Sequence, residues 1–261
     1  MPWFRRNGSV IGDPKTITSS SASGIWDLND ANSLLQDSTW PLPIATYYDA
    51  LTSTTGLPSF LTRYQTSNKT ITSSYVGYTS NGFYINGDAG NNVYGYPVRT
   101  NINIPGTDGF KLRFSKYRNE RCDDHSICIF KTGVTPQWSW AANSTRWAIQ
   151  NDCTQPRVFP PSGSLTSSGY ALNPTSGTTG AQWYSIEIYM PTSTSNISIK
   201  YYDGYNTFTG TPLINMTASN PFSSLSITSA STYNIGFDTD QDNTTYQPKF
   251  KEMTITHGAS I

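Results

Sequence analysis

The sequence predicts an all-β fold, an antiparallel jelly-roll sandwich of two sheets, on three observations. From about Gly82 onward apolar and polar residues alternate in short runs. Gly, Pro, Asn and Ser separate those runs. Strand-forming aromatic and β-branched residues fill them. Alternation sends one side of a strand inward and the other outward, so two stacked antiparallel sheets share a core between their inner faces.

The chain divides into three parts: an arm over 1–43, a linker or partner-dependent region over 44–80, and the sandwich over 81–261. Residues 1–24 carry Gly8, Gly12, Pro14 and a serine-rich run at 19–24, with no periodic apolar face. Residues 25–36 read as a short helix: Asp27 suits the N-cap, and Leu28, Ala31, Leu34 and Leu35 share a face. Pro41 and Pro43 end it, since proline cannot continue the hydrogen-bond ladder. Region 44–80 holds aromatic residues without a firm period, with one strand expected near 70–75.

Strands are then expected at 110–114, where Phe110, Leu112 and Phe114 alternate with Lys111 and Arg113, and at 126–130 and 146–149. The strongest run is 183–190. The run 196–202 follows and ends in the turn Asp203-Gly204. Runs at 225–228, 233–237 and 250–256 complete the set.

Composition narrows the function classes. Charged residues are 13% of 261, with 17 acids against 17 bases, about half the usual charged share. No basic surface strong enough to track phosphates is expected, and Arg5 and Arg6 are too few to hold nucleic acid. Ser, Thr and Asn supply the polarity, as in proteins exposed outside a cell or particle. No apolar run reaches the length of a membrane span, and the start, Met1 to Arg6, lacks the apolar stretch of a secretion signal. Release on a particle at host lysis is an exit that needs no such signal. The Asn-X-Ser/Thr triplets at Asn68, Asn143, Asn196, Asn215 and Asn243 arise readily in such a chain. The three cysteines, Cys122, Cys128 and Cys153, are an odd number, which argues for buried thiols over a disulfide framework. His125 alone leaves a Cys/His zinc site short of ligands.

The order of motifs after 180 resembles the concanavalin A-like and laminin G-like family. Trp183 opens an alternating strand, Tyr201-Tyr202-Asp203-Gly204 closes the next, and Ile235-Gly236-Phe237 precedes a final alternating strand over 250–256. At the other end, residues 21–31 (SASGIWDLNDA) with Trp40-Pro41 resemble a lead-in segment of structural proteins of tailed phages, marine ones especially. The two resemblances imply a virion protein, a tail fibre or appendage on the particle exterior, that displays a lectin-like domain for host adsorption. The arm, with Trp3, Phe4, Arg5, Arg6 and Trp26, would dock on other virion proteins. A homo-oligomer is expected, a trimer favoured, and no membrane insertion.

For carbohydrate binding the candidates are Trp138, Trp140, Tyr202 and Tyr205, because sugar C–H faces pack on aromatic rings while amides and hydroxyls take the oxygens. Trp138, Tyr202 and Tyr205 are expected exposed; Trp147 and Trp183 are expected in the core. For calcium, Asp238, Asp240 and Asp242 alternate in a loop, a spacing that suits oxygen coordination. An EF-hand would need Gly and Glu where Asn243 and Lys249 stand. No catalytic site is expected. Glycoside hydrolysis needs two flanking carboxyl groups, and Glu120, Glu187 and Glu252, the only glutamates, each lack a carboxylate two residues away. Glu187 is expected on the solvent face. His125 and His257 lie in no triad motif. The expectation is a non-enzymatic glycan-binding virion protein; the alternatives are a ligand-free decoration protein and a polysaccharide-degrading enzyme.

Overall fold

The computed structural model describes residues 16–17, 22–23, 44–66, 76–85, 87–88, 93–94, 97–118, 125–137, 144–152, 155–161, 166–167, 182–239 and 249–261. The predicted helix at 25–36, the strand expected at 70–75 and most of the arm lie outside them. The main strands are β1 (Ala45–Asp49), β2 (Leu61–Arg63), β3 (Val76–Thr79), β4 (Gly82–Ile85), β5 (Val98–Thr100), β6 (Ile104–Pro105), β7 (Gly109–Arg118) and β8 (His125–Lys131). They continue with β9 (Trp147–Asp152), β10 (Gln155–Phe159), β11 (Thr166–Ser167), β12 (Gln182–Met190), β13 (Ile197–Asp203), β14 (Ile214–Ala218), β15 (Thr232–Thr239) and β16 (Lys249–Gly258).

They form two eight-stranded antiparallel sheets. Sheet A runs β14-β13-β12-β7-β16-β4-β3, with β1 also on β16; sheet B runs β11-β10-β9-β8-β15-β5-β2, with β6 on β15. The two inner faces share one core, in which Phe110, Leu112, Phe114, Ile186, Ile188, Ile199, Trp147, Ile235 and Phe237 are all buried. Phe114 meets Phe237 edge-on across the sandwich at 5.9 Å, a favoured arrangement of ring quadrupoles.

Region 44–80 is therefore not a linker throughout. β1 pairs with the carboxy-terminal half of β16, β2 with β5, and β3 with β4. The strand expected at 225–228 is instead a turn: Asn220 accepts a hydrogen bond from the Phe222 N–H, the Leu225 N–H donates to Pro221 O, and Phe222, Leu225 and Ile227 close the core as a plug.

The two outward faces differ. On sheet B, Tyr64, Cys128, Phe130, Ala148 and Phe159 form a second buried cluster, so this sheet buries both sides. Gly236 is required there, because a Cβ would come within 2.8 Å of Cys128 Sγ and 2.9 Å of the Phe130 ring. On sheet A, outward residues of the central strands are polar or aromatic: Lys111, Arg113, Ser115 and Tyr117 on β7, and Trp183, Ser185, Glu187 and Tyr189 on β12. The open face of the sandwich belongs to sheet A.

Candidate functional site on the outward face of sheet A

Strand register lays the outward residues of sheet A in rungs. One rung runs Asn215, Lys200, Glu187, Arg113, Thr254, Tyr48. A second runs Tyr202, Ser185, Ser115, Lys251, and a third Trp183, Tyr117, Lys249, Tyr84. Ser115 and Ser185 lie directly opposite each other and are fully buried. Two small side chains among large neighbours leave a notch, and the loop after β13 fills it.

Serine hydroxyls hold that loop. Ser185 Oγ donates to Gly204 O at 2.9 Å and accepts from the Thr207 N–H at 2.7 Å. Ser115 Oγ accepts from the Asn206 N–H at 2.9 Å. Gly204 sits at φ 97°, the left-handed region that glycine enters without steric cost, so the predicted Asp203-Gly204 turn forms and folds the chain back over the sheet. Phe208 packs against Tyr202 and beneath the Arg113 guanidinium. Tyr205 meets Trp183 edge-on at 4.9 Å.

Tyr205 ends beside Glu252. Opposite Arg113 and Ser115 the pairing register on β16 slips, so Glu252 and Met253 together oppose Phe114. This is a β-bulge, which re-aims the bulged side chain. Glu252 has φ 52°, a conformation that costs a non-glycine residue about 1–3 kcal/mol. At the same point β16 changes neighbour from β4 to β1. The bulge turns the carboxylate towards two phenols: Tyr48 donates to Oε2 at 2.6 Å and Tyr205 donates to Oε1. The hydrogen bond to Glu252 raises the Tyr48 pKa; burial, then Glu252, raises that of Tyr205. Both phenols therefore stay protonated donors at neutral pH. Tyr48 is 60% exposed and Tyr205 40%, so the pair presents rings, hydroxyls and one carboxylate to solvent.

The predicted site residues fall out unevenly. Tyr205 is exposed as expected. Tyr202 is corrected: it points outward but is 6% exposed, because Phe208 stands against it. Trp183 is corrected from core to half-buried on the open face, while Trp147 is buried in the core. Glu187 points outward yet is only 5% exposed; Arg113 Nε and a second guanidinium nitrogen reach its Oε2 at 2.7 and 2.5 Å, and Lys200 lies 3.9 Å from Oε1. Trp138 and Trp140 lie outside the described residues, as do Trp3, Phe4, Arg5, Arg6 and Trp26.

Asp238 is the one calcium candidate among the described residues. It lies in the buried outward cluster of sheet B, its Oδ2 ion-paired to Arg146 and accepting from Tyr64 Oη at 3.4 Å. Its Oδ1 is buried and meets no hydrogen-bond partner. Asp240 and Asp242 lie outside the described residues. Among the described residues no group of three or more His, Cys, Asp and Glu is placed to hold a metal ion. Cys128 is a free, buried thiol whose pKa burial pushes up to about 12. His257 Nδ1 is 2.7 Å from Asp108 Oδ2, and its ring stacks on Tyr47. This resembles the orienting half of a triad, but Nε2 meets no hydroxyl.

Sequence reasoning missed Tyr48 and Glu252. The one signal available was that both belong to strands rich in residues able to face out.

No protein-family model matches the chain, and no curated protein sequence does. Solved structures do. The winged bean acidic lectin complexed with methyl-α-D-galactose superposes with a TM-score of 0.54 at 11% identity, over 83% of this chain and 99% of that one. Lectin UEA-II complexed with galactose gives 0.55 at 9%, over 82% and 98%. Lectin I-B4 from Griffonia simplicifolia, in its metal-free form, gives 0.55 at 8%, over 82% and 99%. The fold is the concanavalin A-like jelly-roll sandwich of the legume lectins.

Proposed function

We propose that this chain is a non-enzymatic, glycan-binding protein of the exterior of a tailed-phage particle, a fibre or appendage component. Its arm holds other virion proteins, and the open face of sheet A meets host-surface glycan. One observation carries the reading: a lectin-type sandwich leaves one sheet face open, and on it Tyr48 and Tyr205 frame the Glu252 carboxylate. Exposed rings offer apolar surface to sugar C–H groups, and the carboxylate accepts from sugar hydroxyls. Two of the lectins that share the fold were solved with galactose or its methyl glycoside, which favours a sugar over other small ligands.

The particle assignment rests on the resemblance of residues 21–31 and Trp40-Pro41 to phage lead-in segments. A homo-oligomer, with a trimer favoured, suits weak sites, because several copies on one particle raise the effective concentration. Against catalysis stands the burial of Glu187 beneath Arg113 and Lys200, which keeps it from acting with Glu252 as an acid and base pair.

The test is a glycan array and host-surface polysaccharide binding with the full chain, with and without calcium. Binding lost in Tyr48→Ala and Tyr205→Ala supports this face as the site. Binding lost only in Trp138→Ala or Trp140→Ala moves the site to Trp138 and Trp140. Dependence on calcium would call for ligands beyond Asp238. A folded oligomer that binds no glycan and shields Tyr48 from solvent would make the face a subunit interface and the protein a ligand-free structural component.

A further inference from the structure

Among the described residues the outward face of sheet A carries more bases than acids, although the chain as a whole balances 17 acids against 17 bases. Lys111, Arg113, Lys200, Lys249 and Lys251 lie on it, and among the described residues of its central strands Glu187 and Glu252 oppose them. Asp203 lies at the last position of β13, exposed at the margin. Glu187 is consumed by Arg113 and Lys200, which leaves Lys111, Lys249 and Lys251 with no carboxylate partner among the described residues.

Aromatic rings hold these three lysines. Lys111 Nζ lies 4.6 Å from the Tyr189 ring centroid, Lys249 Nζ 5.7 Å from Tyr117, and Lys251 Nζ 5.4 Å from Tyr205. A ring quadrupole attracts an ammonium group without neutralising it. The ring fixes the side chain and the full positive charge remains available to an incoming anion. A carboxylate partner would have done the reverse.

Spacing adds to this. Outward residues on one strand recur about every 7 Å, and neighbouring strands lie about 4.8 Å apart. Lys249 and Lys251 are therefore rooted about 7 Å apart on one strand, within reach of a single polymer chain. Tyr48, the most exposed aromatic among the described residues of the face, lies across from Thr254, on the far side of the bulge from Lys251.

We infer that the ligand of this face is an anionic polysaccharide, one that carries uronate, sulfate or phosphate groups. Its acidic groups meet Lys249, Lys251 and Lys111, and its ring faces and hydroxyls meet Tyr48, Tyr205 and Glu252. The inference rests on the glycan-binding reading above and names the class of glycan. A nucleic acid fits less well, because the Glu252 carboxylate stands in the middle of the face, where a dense row of phosphates would lie.

The test measures binding of the full chain to alginate, polygalacturonate and dextran sulfate, to the neutral polymers dextran, mannan and galactan, and to a single-stranded oligonucleotide, over a series of salt concentrations. The expected result is acidic polymers bound at least about tenfold more tightly than neutral ones, with an advantage that shrinks as salt rises. The double variant Lys249→Gln/Lys251→Gln should lower affinity for alginate by about tenfold, on the order of fivefold or less per exposed charge, with an unchanged thermal melt. Lys131→Gln removes a lysine whose Nζ donates to Ser226 O on sheet B and should leave affinity as it was. Neutral polymers bound as tightly as acidic ones would overturn this inference and leave the glycan reading standing. No polysaccharide bound at all would overturn both. Oligonucleotide bound as tightly as alginate, with the same salt dependence, would also overturn it, because charge alone would then account for the binding.

Discussion

Replacing Asp238 by Asn should destabilise the protein severely, and the reason can be followed atom by atom. Arg146 and Asp238 are paired on the outward face of sheet B with side chains 2% and 3% exposed. Burial works most strongly against the charge on Arg146, but the Asp238 carboxylate, with Cys128 and Tyr64 beside it, leaves the arginine pKa raised. Asparagine removes the carboxylate that faces a guanidinium almost wholly removed from water. Breaking one side of such a pair costs about 3–5 kcal/mol. At about 2–4 °C per kcal/mol for a domain of this size, the melting temperature should fall by roughly 6–20 °C. Replacing both partners, as Arg146→Met with Asp238→Leu, removes the buried charge and should recover most of the loss. Urea and thermal denaturation of Arg146→Met, Asp238→Leu and the double variant form a thermodynamic cycle, with Asp238→Asn measured beside them. The reasoning fails if Asp238→Asn costs less than about 1 kcal/mol, the range of an exposed pair, or if the double variant is as unstable as the two single losses added together.

Three further outcomes follow from the same coordinates. Unfolded cysteine ionises near 9.0 and the folded Cys128 thiol near 12, so between those values the unfolded state gives up its proton first and stability declines as pH rises; alkaline urea titrations of the wild type and Cys128→Ala should diverge above pH 9, and parallel curves would count against it. Ser185→Val should unseat the loop after β13, through two lost hydrogen bonds at about 1 kcal/mol each and an overfilled notch at about 1–3 kcal/mol; glycan affinity should fall with stability, and a variant that binds normally would show that the loop does not position Tyr205. Glu252→Gly should relieve the backbone at φ 52° while removing the acceptor of both phenols, so stability should stay within about 1 kcal/mol while binding is lost; retained binding by titration calorimetry would remove Glu252 from the site.

How much of this was legible in the sequence depended on which sheet a strand joined. β7, β12 and β13 belong to the sheet with one open face, and their alternation could be read directly. β8 is buried on both sides, so Ile127, Cys128, Ile129 and Phe130 form an unbroken apolar run that identifies a strand but hides which residues face the main core. β1 was obscured because Tyr47 and Tyr48 put aromatic rings on both its faces, one half-buried and one exposed. The run 225–228 looked like a strand because its apolar residues are buried, but it is held by the Asn220 side chain and a turn. The site was half readable. Tyr205 follows a recognisable turn, whereas Tyr202 was misjudged because exposure depends on Phe208, six residues further on. Tyr48 and Glu252 carry no local mark, and what joins them is the bulge on β16.

That bulge has a consequence for how the protein is made. The Tyr48 to Glu252 hydrogen bond joins residues 204 positions apart, and β16, which lies in sheet A between β7 on one side and β1 and β4 on the other, is made after all of these partners. Until it is inserted, sheet A is three separate pieces and the phenols have nothing to hold. Contacts of such long sequence separation form slowly, and the waiting edges of β7 and β1 are open to pairing with another chain. The face formed by Tyr48, Tyr205 and Glu252 thus records that β16 has been made and inserted, because a nascent chain that lacks this strand cannot display it.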